Sequence, residues 1–160
     1  MPPHVKWPSI VSFHNVRKTL AQYPELTNGD SKVVYRGKVK EHGTNSAIQF
    51  HDGVPYAQSR TQVLGTATDL EKGNDNAGFR RWMHQHKKAL VAQAEAFKDL
   101  HQVIVFGEWV GRGVQKGCAI HQVDPVFAIF AMMIKKDKDY PGIQFISSPE
   151  DIATSLSDLL

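Results

Sequence analysis

The sequence predicts a single α+β domain, and three observations support this fold class. Short runs rich in β-branched and aromatic residues, such as residues 46–50 and 103–106, are typical of strands. A turn at residues 51–53 follows the first of these runs and predicts a hairpin. Residues 77–101 repeat apolar side chains at spacings of three and four, as an amphipathic helix does. The chain has 160 residues, 41% of them hydrophobic, which suits one domain with its own core.

The N-terminal part is predicted to contain one helix and one strand. The helix covers residues 13–23, because Ser12 can cap its start and Pro24 stops it. A turn at residues 28–31 then leads into a strand at residues 33–40, in which apolar and cationic side chains alternate.

A hairpin and a loop are predicted next. Residues 46–50 are expected to pair with residues 54–60. Pro55 has no amide proton, so it fits the start of the second strand or a sheet edge. Residues 65–78 are polar and contain glycine, which indicates a loop.

A long helix at residues 77–101 follows, with Asp75 or Asn76 as its cap. Its apolar stripe consists of Phe79, Met83, His86, Leu90, Ala94 and Phe97. The remaining predictions are a buried strand at 103–106 that ends in Gly107-Glu108-Trp109, a loop at 111–117, an apolar strand at 126–134 and a strand at 143–146. Ser148, followed by Pro149 and two acidic residues, predicts the start of a last helix.

Composition argues against several classes of protein. No apolar run approaches the roughly 18 residues of a membrane span, and the N-terminus lacks the apolar core of a signal peptide. Cys118 is the only cysteine, so we expect no intrachain disulfide and a reducing compartment such as the cytoplasm. The histidines and the cysteine lack the paired spacing of a zinc site, so no metal ligand is predicted. The net charge of +3 allows a polyanionic partner without requiring one.

Four chemically useful side chains stand at the ends of predicted strands, where sites are often built. Lys40 offers a nucleophile, Arg60 a cation for phosphate, Glu108 a carboxylate for a hydroxyl group, and Phe127 an aromatic face for a base. Together these groups are typical of a nucleotide site.

Lys40 is expected to project on the same side of its strand as Lys38 and Arg36. Neighbouring positive charges favour the neutral amine, which is the nucleophilic form. The alternative interpretation is a solvated edge strand, on which basic side chains prevent aggregation.

Lys40-Glu41-His42-Gly43-Thr44-Asn45 resembles the K-x-H-G-T-N form of the K-x-x-G signature of covalent nucleotidyltransferases. This form is similar to that of nick-sealing RNA ligases of the phage and RNA-editing type. Three further segments match the family in the same order: Ser59-Arg60-Thr61, residues 106–117 and residues 127–130. The resemblance covers roughly residues 9–134.

The resemblance implies an ATP-dependent RNA ligase, with antiparallel sheets and flanking helices around a nucleotide cleft. Lys40 is implied to take AMP from ATP, the AMP then passes to an RNA 5′-phosphate, and a 3′-hydroxyl displaces it to seal the strand. Mg²⁺ is implied because it neutralises charge on the phosphates. RNA with 5′-phosphate and 3′-hydroxyl ends is the implied partner.

Individual roles also follow from the resemblance. Lys40 is the implied nucleophile rather than Lys38, because the K-x-H-G spacing selects it, and His42 is implied in the RNA-directed steps. Arg60 is implied to contact a phosphate or ribose, and Glu108 to accept a hydrogen bond from a ribose hydroxyl. Gly43, Thr44, Asn45 and Phe127 complete the implied nucleotide-binding set. The alternatives are that His42, Thr44 and Asn45 only form the turn and that Arg60 is a surface arginine.

Phe127 and Phe130 lie three residues apart on a predicted strand and so face opposite sides. One of them can stack on adenine while the other packs in the core. The resemblance selects Phe127 for stacking, whereas periodicity alone makes either one a core residue.

The sequence departs from the family pattern in its last part. Family members carry a later E-G-x-V strand and a K-x-K strand that holds the α-phosphate, and Lys136-x-Lys138 follows Phe127 too closely to be the latter. We therefore expect residues 1–160 to be the N-terminal portion of a ligase adenylyltransferase domain, weak or inactive by itself. DNA ligases and mRNA-capping enzymes share K-x-x-G and are alternatives, as is a non-catalytic nucleotide- or RNA-binding relative.

Overall fold

The computed structural model describes residues 1–9, 11–23, 40–70, 73–117, 119–139 and 142–156. The chain divides into two compact units. One consists of Met1–Lys6 with Glu41–Leu160, and the other is Trp7–Lys40. Of the strand predicted at residues 33–40, all residues except Lys40 lie outside the described part of the chain.

The described elements are helices α1 to α4, strands β1 to β6 and one 3₁₀ helix. In chain order they are α1 (Phe13–Gln22), β1 (Thr44–His51), β2 (Val54–Ser59), β3 (Val63–Thr66), α2 (Phe79–Gln85), α3 (Lys87–Ala96), β4 (Gln102–Val110), the 3₁₀ helix (Ala119–Gln122), β5 (Val126–Lys135), β6 (Gln144–Ile146) and α4 (Pro149–Ser155). The strands form one antiparallel sheet in the order β3-β2-β1-β4-β5-β6. The predicted α+β class is therefore confirmed.

Local sequence signals explain several element ends. The Ser12 hydroxyl accepts a hydrogen bond from the Asn15 amide at 3.3 Å and so caps α1. Ser148 caps α4 in the same way. Asp52 and Gly53 have φ values of 49° and 73°, the two positive angles that a tight β1–β2 hairpin turn requires. These three predictions are confirmed.

The prediction of a loop at residues 65–78 is wrong at its start, where β3 lies. A tight turn folds β3 back onto β2: the Ser59 amide donates to the Gln62 carbonyl at 2.8 Å, and the Ser59 hydroxyl accepts from the Gln62 amide. Gly65 allows this strand to pass beneath Arg80, because a Cβ at Gly65 would lie 2.6 Å from the guanidinium. The glycine that suggested a loop therefore permits a close packing contact.

The single helix predicted at residues 77–101 is also wrong, because His86 separates α2 from α3. The His86 amide donates to the carbonyl oxygens of both Trp82 and Met83, and its ring nitrogen Nδ1 lies 2.8 Å from the Trp82 carbonyl. The side chain thus competes for a backbone acceptor and ends the helix without a glycine or proline. Gly78 occupies the N-cap position of α2 and has no capping side chain, whereas Asp75 Oδ1 accepts a hydrogen bond from the Arg81 amide in the first turn at 2.9 Å.

Helices α2 and α3 cover one face of the sheet, which we call the helix face. Four residues of the predicted apolar stripe are buried there, whereas His86 is exposed. The core cluster on this face includes Ile48, Phe50, Phe79, Met83, Leu90, Ala94, Val103, Val105, Trp109 and Phe127. Burial of these large apolar side chains is the main force that holds the sheet to the helices.

The other side of the sheet, which we call the open face, buries Ile104, Phe106 and Met133 and also carries several polar groups. Gln58 exchanges two hydrogen bonds with the backbone of Val5, at 2.8 and 3.1 Å. Gln49 donates to the carbonyl of Pro3 at 3.2 Å. The N-terminal residues therefore follow this face through buried glutamines. No helix in the described part of the chain has the length and apolar character needed to cross a membrane.

Candidate active site

Glu108, Phe127 and residues 43–45 of the signature lie where β1 begins, β4 ends and β5 begins. In the sheet register, Asn45 pairs with Glu108, and Glu108 pairs with Ala128 on its other side. Directly paired residues point to the same face of a sheet, so Asn45 and Glu108 share the open face. Strand pairing thus joins Thr44 and Asn45 of the KEHGTN signature to the Phe106–Val110 segment.

The backbone of Gly43 and the side chain of Glu108 also contact each other. The Gly43 amide donates a hydrogen bond to Glu108 Oε1 at 3.3 Å. A Cβ at position 43 would overlap the carbonyl oxygen of Trp109 and lie 2.5 Å from a methyl group of Val110. Only glycine permits this approach, so the Gly43 of the signature is required for close packing.

Gln115 binds the carbonyl group of Gly43. Its side-chain amide donates to the Gly43 carbonyl at 3.4 Å. It stands in the loop that joins β4 to the 3₁₀ helix, so this loop reaches back to the signature segment. Sequence reasoning included Gln115 in a matched segment but gave it no role.

Asn76 fixes the start of β1 through its side chain. Its Oδ1 accepts a hydrogen bond from the Thr44 hydroxyl at 3.2 Å, and its Nδ2 donates to the Ser46 hydroxyl at 2.8 Å and to the Asn45 carbonyl at 3.5 Å. Thr44 and Ser46 point toward the helix face, whereas Asn45 lies between them and points away. The Thr44 hydroxyl therefore already has a hydrogen-bond partner within the chain, the side chain of Asn76.

The backbone at Asn76 is in an uncommon conformation. Asn76, Ala77 and Gly78 have φ values of 48°, 56° and 91°, and two of these residues are not glycine. The left-handed region is disfavoured for residues with a side chain, least so for asparagine. The Ala77 carbonyl accepts a hydrogen bond from the Trp109 indole at 2.9 Å, which helps to hold this turn. Sequence reasoning named Asn76 only as a candidate helix cap and gave it no role at the signature.

Phe127 packs on the helix face. Its ring centroid lies 5.0 Å from that of Phe79 and 6.1 Å from that of Trp82, and the residue is 8% exposed. The ring covers Gly107, where any Cβ would overlap it. Glycine at position 107 therefore makes room for the aromatic ring.

Glu108 and Phe127 consequently point to opposite faces of the sheet. Phe127 pairs with Trp109, and both rings contact Phe79 of α2. Glu108 is the neighbour of Trp109 along β4, so it points away from α2. The structure brings both residues to one end of the sheet but not to one side.

Arg60 stands at the same end of the sheet, in the turn between β2 and β3, and is exposed. It follows Ser59, which pairs with Ser46, and Ser46 pairs with Gly107. Strands are spaced about 4.8 Å apart, so the Arg60 backbone lies roughly 10 Å from that of β4. A long arginine side chain can span such a distance.

His42 and Lys40 are also exposed. His42 directly precedes Gly43 in the sheet-containing unit, and Lys40 is the last residue of the Trp7–Lys40 unit. The predicted roles of these two residues, and of the other site residues, stay predictions.

A groove of about 280 Å³ lies near this end of the sheet. It is lined by Ala77, Gly78, Arg81, Trp82, Gln85, Trp109 and Pro125. None of the predicted site residues lines it.

The sheet joins a glycine-containing signature to a carboxylate on the neighbouring strand. Residues 34–150 match the model of the RNA ligase family. This match covers more than half of the chain, so the protein belongs to the RNA ligase family. A search among curated proteins finds no match.

Proposed function

We propose that this chain is an ATP-dependent RNA ligase of the K-x-H-G-T-N type, within the covalent nucleotidyltransferase superfamily. Membership of the RNA ligase family indicates RNA ligase activity and an RNA substrate. The observation that carries the finer proposal is the hydrogen bond between the Gly43 amide and Glu108 Oε1, which connects two segments that resemble nucleotidyltransferase motifs.

The first proposed step forms a phosphoramidate on Lys40. The neutral Nζ attacks the α-phosphorus of ATP, the bond from this phosphorus to the bridging oxygen breaks, and pyrophosphate leaves. The amine loses a proton to solvent or a base as the P–N bond forms. Lys40 is exposed, which is compatible with access to a nucleotide.

The next two proposed steps act on RNA. A 5′-phosphate oxygen attacks the phosphorus of the lysyl-AMP, the P–N bond breaks, and AMP is joined to the RNA end. The 3′-hydroxyl then attacks the 5′-phosphorus, a phosphodiester forms, and AMP leaves. We propose that His42 acts in these RNA-directed steps, because it is exposed beside the signature glycine.

Glu108 is proposed to bind the ribose. A carboxylate has about four acceptor positions, so one hydrogen bond from Gly43 leaves capacity for a hydroxyl group. Asn45 shares its face and register, and Arg60 can offer a forked cation to a phosphate from the neighbouring turn. Gly43 and Thr44 are proposed to shape the backbone around the nucleotide.

Mg²⁺ is proposed to act with the phosphates of ATP. In the described part of the chain, Glu41 lies within the signature and Glu108 beside it, and no group of three acidic or histidine ligands lies there. Mg²⁺ commonly binds through one or two carboxylates together with substrate phosphates, so this arrangement fits such an ion. When bound, it would neutralise charge on the phosphates.

Adenine stacking by Phe127 stays a prediction. The structure gives its ring a packing role against Phe79, and it faces away from the side of Glu108. Packing against Phe79 and stacking on adenine predict different effects of substituting Phe127.

Sealing of two RNA substrates tests the proposed function. One carries an ordinary 5′-phosphate at a nick, and the other carries a 5′-end that is already adenylylated. Lys40→Ala is expected to abolish sealing of the first substrate with ATP and to spare the second, because the second bypasses the lysine. Loss of both would show that Lys40 is not specifically the nucleophile. RNA binding without sealing of either substrate would favour a non-catalytic relative.

A further inference from the structure

Three side chains that commonly bind metals lie together at the far end of the β1–β4 pair from Glu108. His51 is the last residue of β1, Asp52 is the first residue of the following turn, and His101 directly precedes β4. His51 pairs with Gln102, so strand register brings the two histidines together although they are distant in sequence. Sequence spacing alone cannot reveal such a group.

The distances in this cluster suit a metal ion. His51 Nε2 lies 3.4 Å from Asp52 Oδ2, and the ring centroids of His51 and His101 are 5.1 Å apart. One ligand atom from each of the three residues lies within 4.8 Å of the others. Ligand atoms around a tetrahedral Zn²⁺ are about 3.4 Å apart, so side-chain movements of roughly 1 Å would close the group onto one ion.

A buried nitrogen in the cluster is a second indication of a ligand. His51 Nδ1 is buried and has no hydrogen-bond partner among the described residues. Buried polar atoms are nearly always paired, so this one needs a reason. A half-turn of the imidazole about the Cβ–Cγ bond exchanges Nδ1 with Cδ2 and Nε2 with Cε1, so Nδ1 can be turned toward the cluster and bind a metal ion.

The β1–β2 turn places the Asp52 carboxylate beside the two histidines. Asp52 has a φ of 49°, a conformation that the β1–β2 hairpin imposes and that aspartate tolerates. The His101 amide donates to the Lys136 carbonyl at 3.0 Å, which ties the backbone of the second histidine to the chain that follows β5. Backbone structure therefore holds all three ligands.

We propose that His51, Asp52 and His101 form a Zn²⁺ site, with water as the fourth ligand. Two imidazoles and one carboxylate are typical Zn²⁺ ligands. A bound ion would link the β1–β2 turn to the start of β4 and so stabilise the centre of the sheet. β1 separates this site from Thr44 by roughly 23 Å, so the Zn²⁺ is distinct from the Mg²⁺ proposed for catalysis.

Metal titration of the chelator-treated protein tests this proposal. We expect one Zn²⁺ per chain by calorimetry, and Co²⁺ should give the visible spectrum of a four-coordinate site. Zinc at about one hundred times its dissociation constant should raise the melting temperature by roughly 5–10 °C. His51→Asn and His101→Asn should each weaken Zn²⁺ binding by about tenfold or more, because each removes a ligand.

His14→Asn is the matched control, since His14 is an exposed histidine of α1 outside the cluster. It should leave the affinity, the Co²⁺ spectrum and the thermal shift unchanged. Asp52→Asn tests the carboxylate in a variant that keeps the turn, because asparagine also tolerates a positive φ. Equal Zn²⁺ affinity in the original chain, His51→Asn and His101→Asn would overturn the proposal, as would an equal loss in His14→Asn.

Discussion

The two faces of the sheet differ most at the end where β1 begins. On the helix face, Phe127, Phe79 and Trp109 form an aromatic cluster over Gly107. On the open face, Glu108 accepts a hydrogen bond from the backbone of the signature segment. The same two strands supply both sets of residues, because side chains alternate along a strand.

This difference indicates that the two faces have different roles at this end of the sheet. The helix face gains stability from apolar burial, which is large and non-directional. At this end of the sheet, the open face presents hydrogen-bonding groups, which contribute less net stability and more specificity. Substitutions in the aromatic cluster of the helix face should therefore mainly reduce stability, and substitutions of Glu108 on the open face should mainly reduce activity.

Phe127→Ala is expected to have the largest effect on stability. Removing a buried aromatic ring leaves a cavity beside Phe79, so the free energy of unfolding should fall by about 3–5 kcal/mol. Urea denaturation followed by tryptophan fluorescence measures this change. A loss below about 1 kcal/mol would contradict the packing role.

Phe127→Leu separates packing from stacking, because leucine keeps most of the apolar volume. Adenine stacking by Phe127 requires this variant to raise the KM for ATP while the protein stays folded. An unchanged KM would contradict the stacking prediction and leave Phe127 as a residue of the helix face alone.

Asn76→Ala should have the next largest effect. It removes the hydrogen bonds to Thr44, Ser46 and the Asn45 carbonyl and places alanine at a positive φ, so we expect a loss of about 2–3 kcal/mol. Asn76→Gly keeps the backbone conformation and should lose about 1 kcal/mol less. Equal losses in the two variants would show that the strained turn contributes nothing.

Gly43→Ala should reduce both the stability of the protein and its activity. The new methyl group would overlap the Trp109 carbonyl oxygen, so we expect a loss of about 1–3 kcal/mol and a large fall in lysine adenylylation. Gly53→Ala is the matched control, because nothing lies within 4 Å of a Cβ there and its cost is backbone strain alone, about 1 kcal/mol. Full adenylylation by Gly43→Ala would show that the close approach is unnecessary.

Glu108→Gln should have the smallest effect on stability. The amide oxygen can still accept the Gly43 hydrogen bond, so the melting temperature should change little. The loss of a charged acceptor for ribose should reduce kcat/KM for ATP by about tenfold, which corresponds to about 1.4 kcal/mol. A lower melting temperature with unchanged kcat/KM would place Glu108 among the structural residues.

Much of the fold could be predicted from local signals. Ser12, Ser148 and the Asp52-Gly53 pair act within a few residues of their own positions, so their caps and turn are visible in the sequence. The helix break at His86 was not, because it depends on a side-chain bond to the Trp82 carbonyl and contains no glycine or proline. β3 was missed because Gly65 reads as a loop residue until Arg80 is packed over it.

The candidate site could be predicted only in part, because some of its contacts join residues that are distant in sequence. Gly43 and Glu108 were both selected from strand ends and motif resemblance, but their contact depends on pairing between β1 and β4. Asn76 reaches the signature from a distant turn, and no local pattern reveals this. Phe127 lies on the helix face because it pairs with Trp109. The sequence of one strand alone does not show this pairing.

Formation of an AMP adduct on Lys40 tests the central claim most directly. Intact-mass and peptide analysis after exposure to ATP and Mg²⁺ should show AMP on Lys40, at low occupancy because the sequence lacks the two late motifs. The adduct should persist in Lys38→Ala, disappear in Lys40→Ala, and be weaker or missing with GTP or NAD. An equal adduct in Lys40→Ala, or an adduct on another residue that persists in this variant, would contradict the proposal that this protein is an ATP-dependent ligase acting through Lys40.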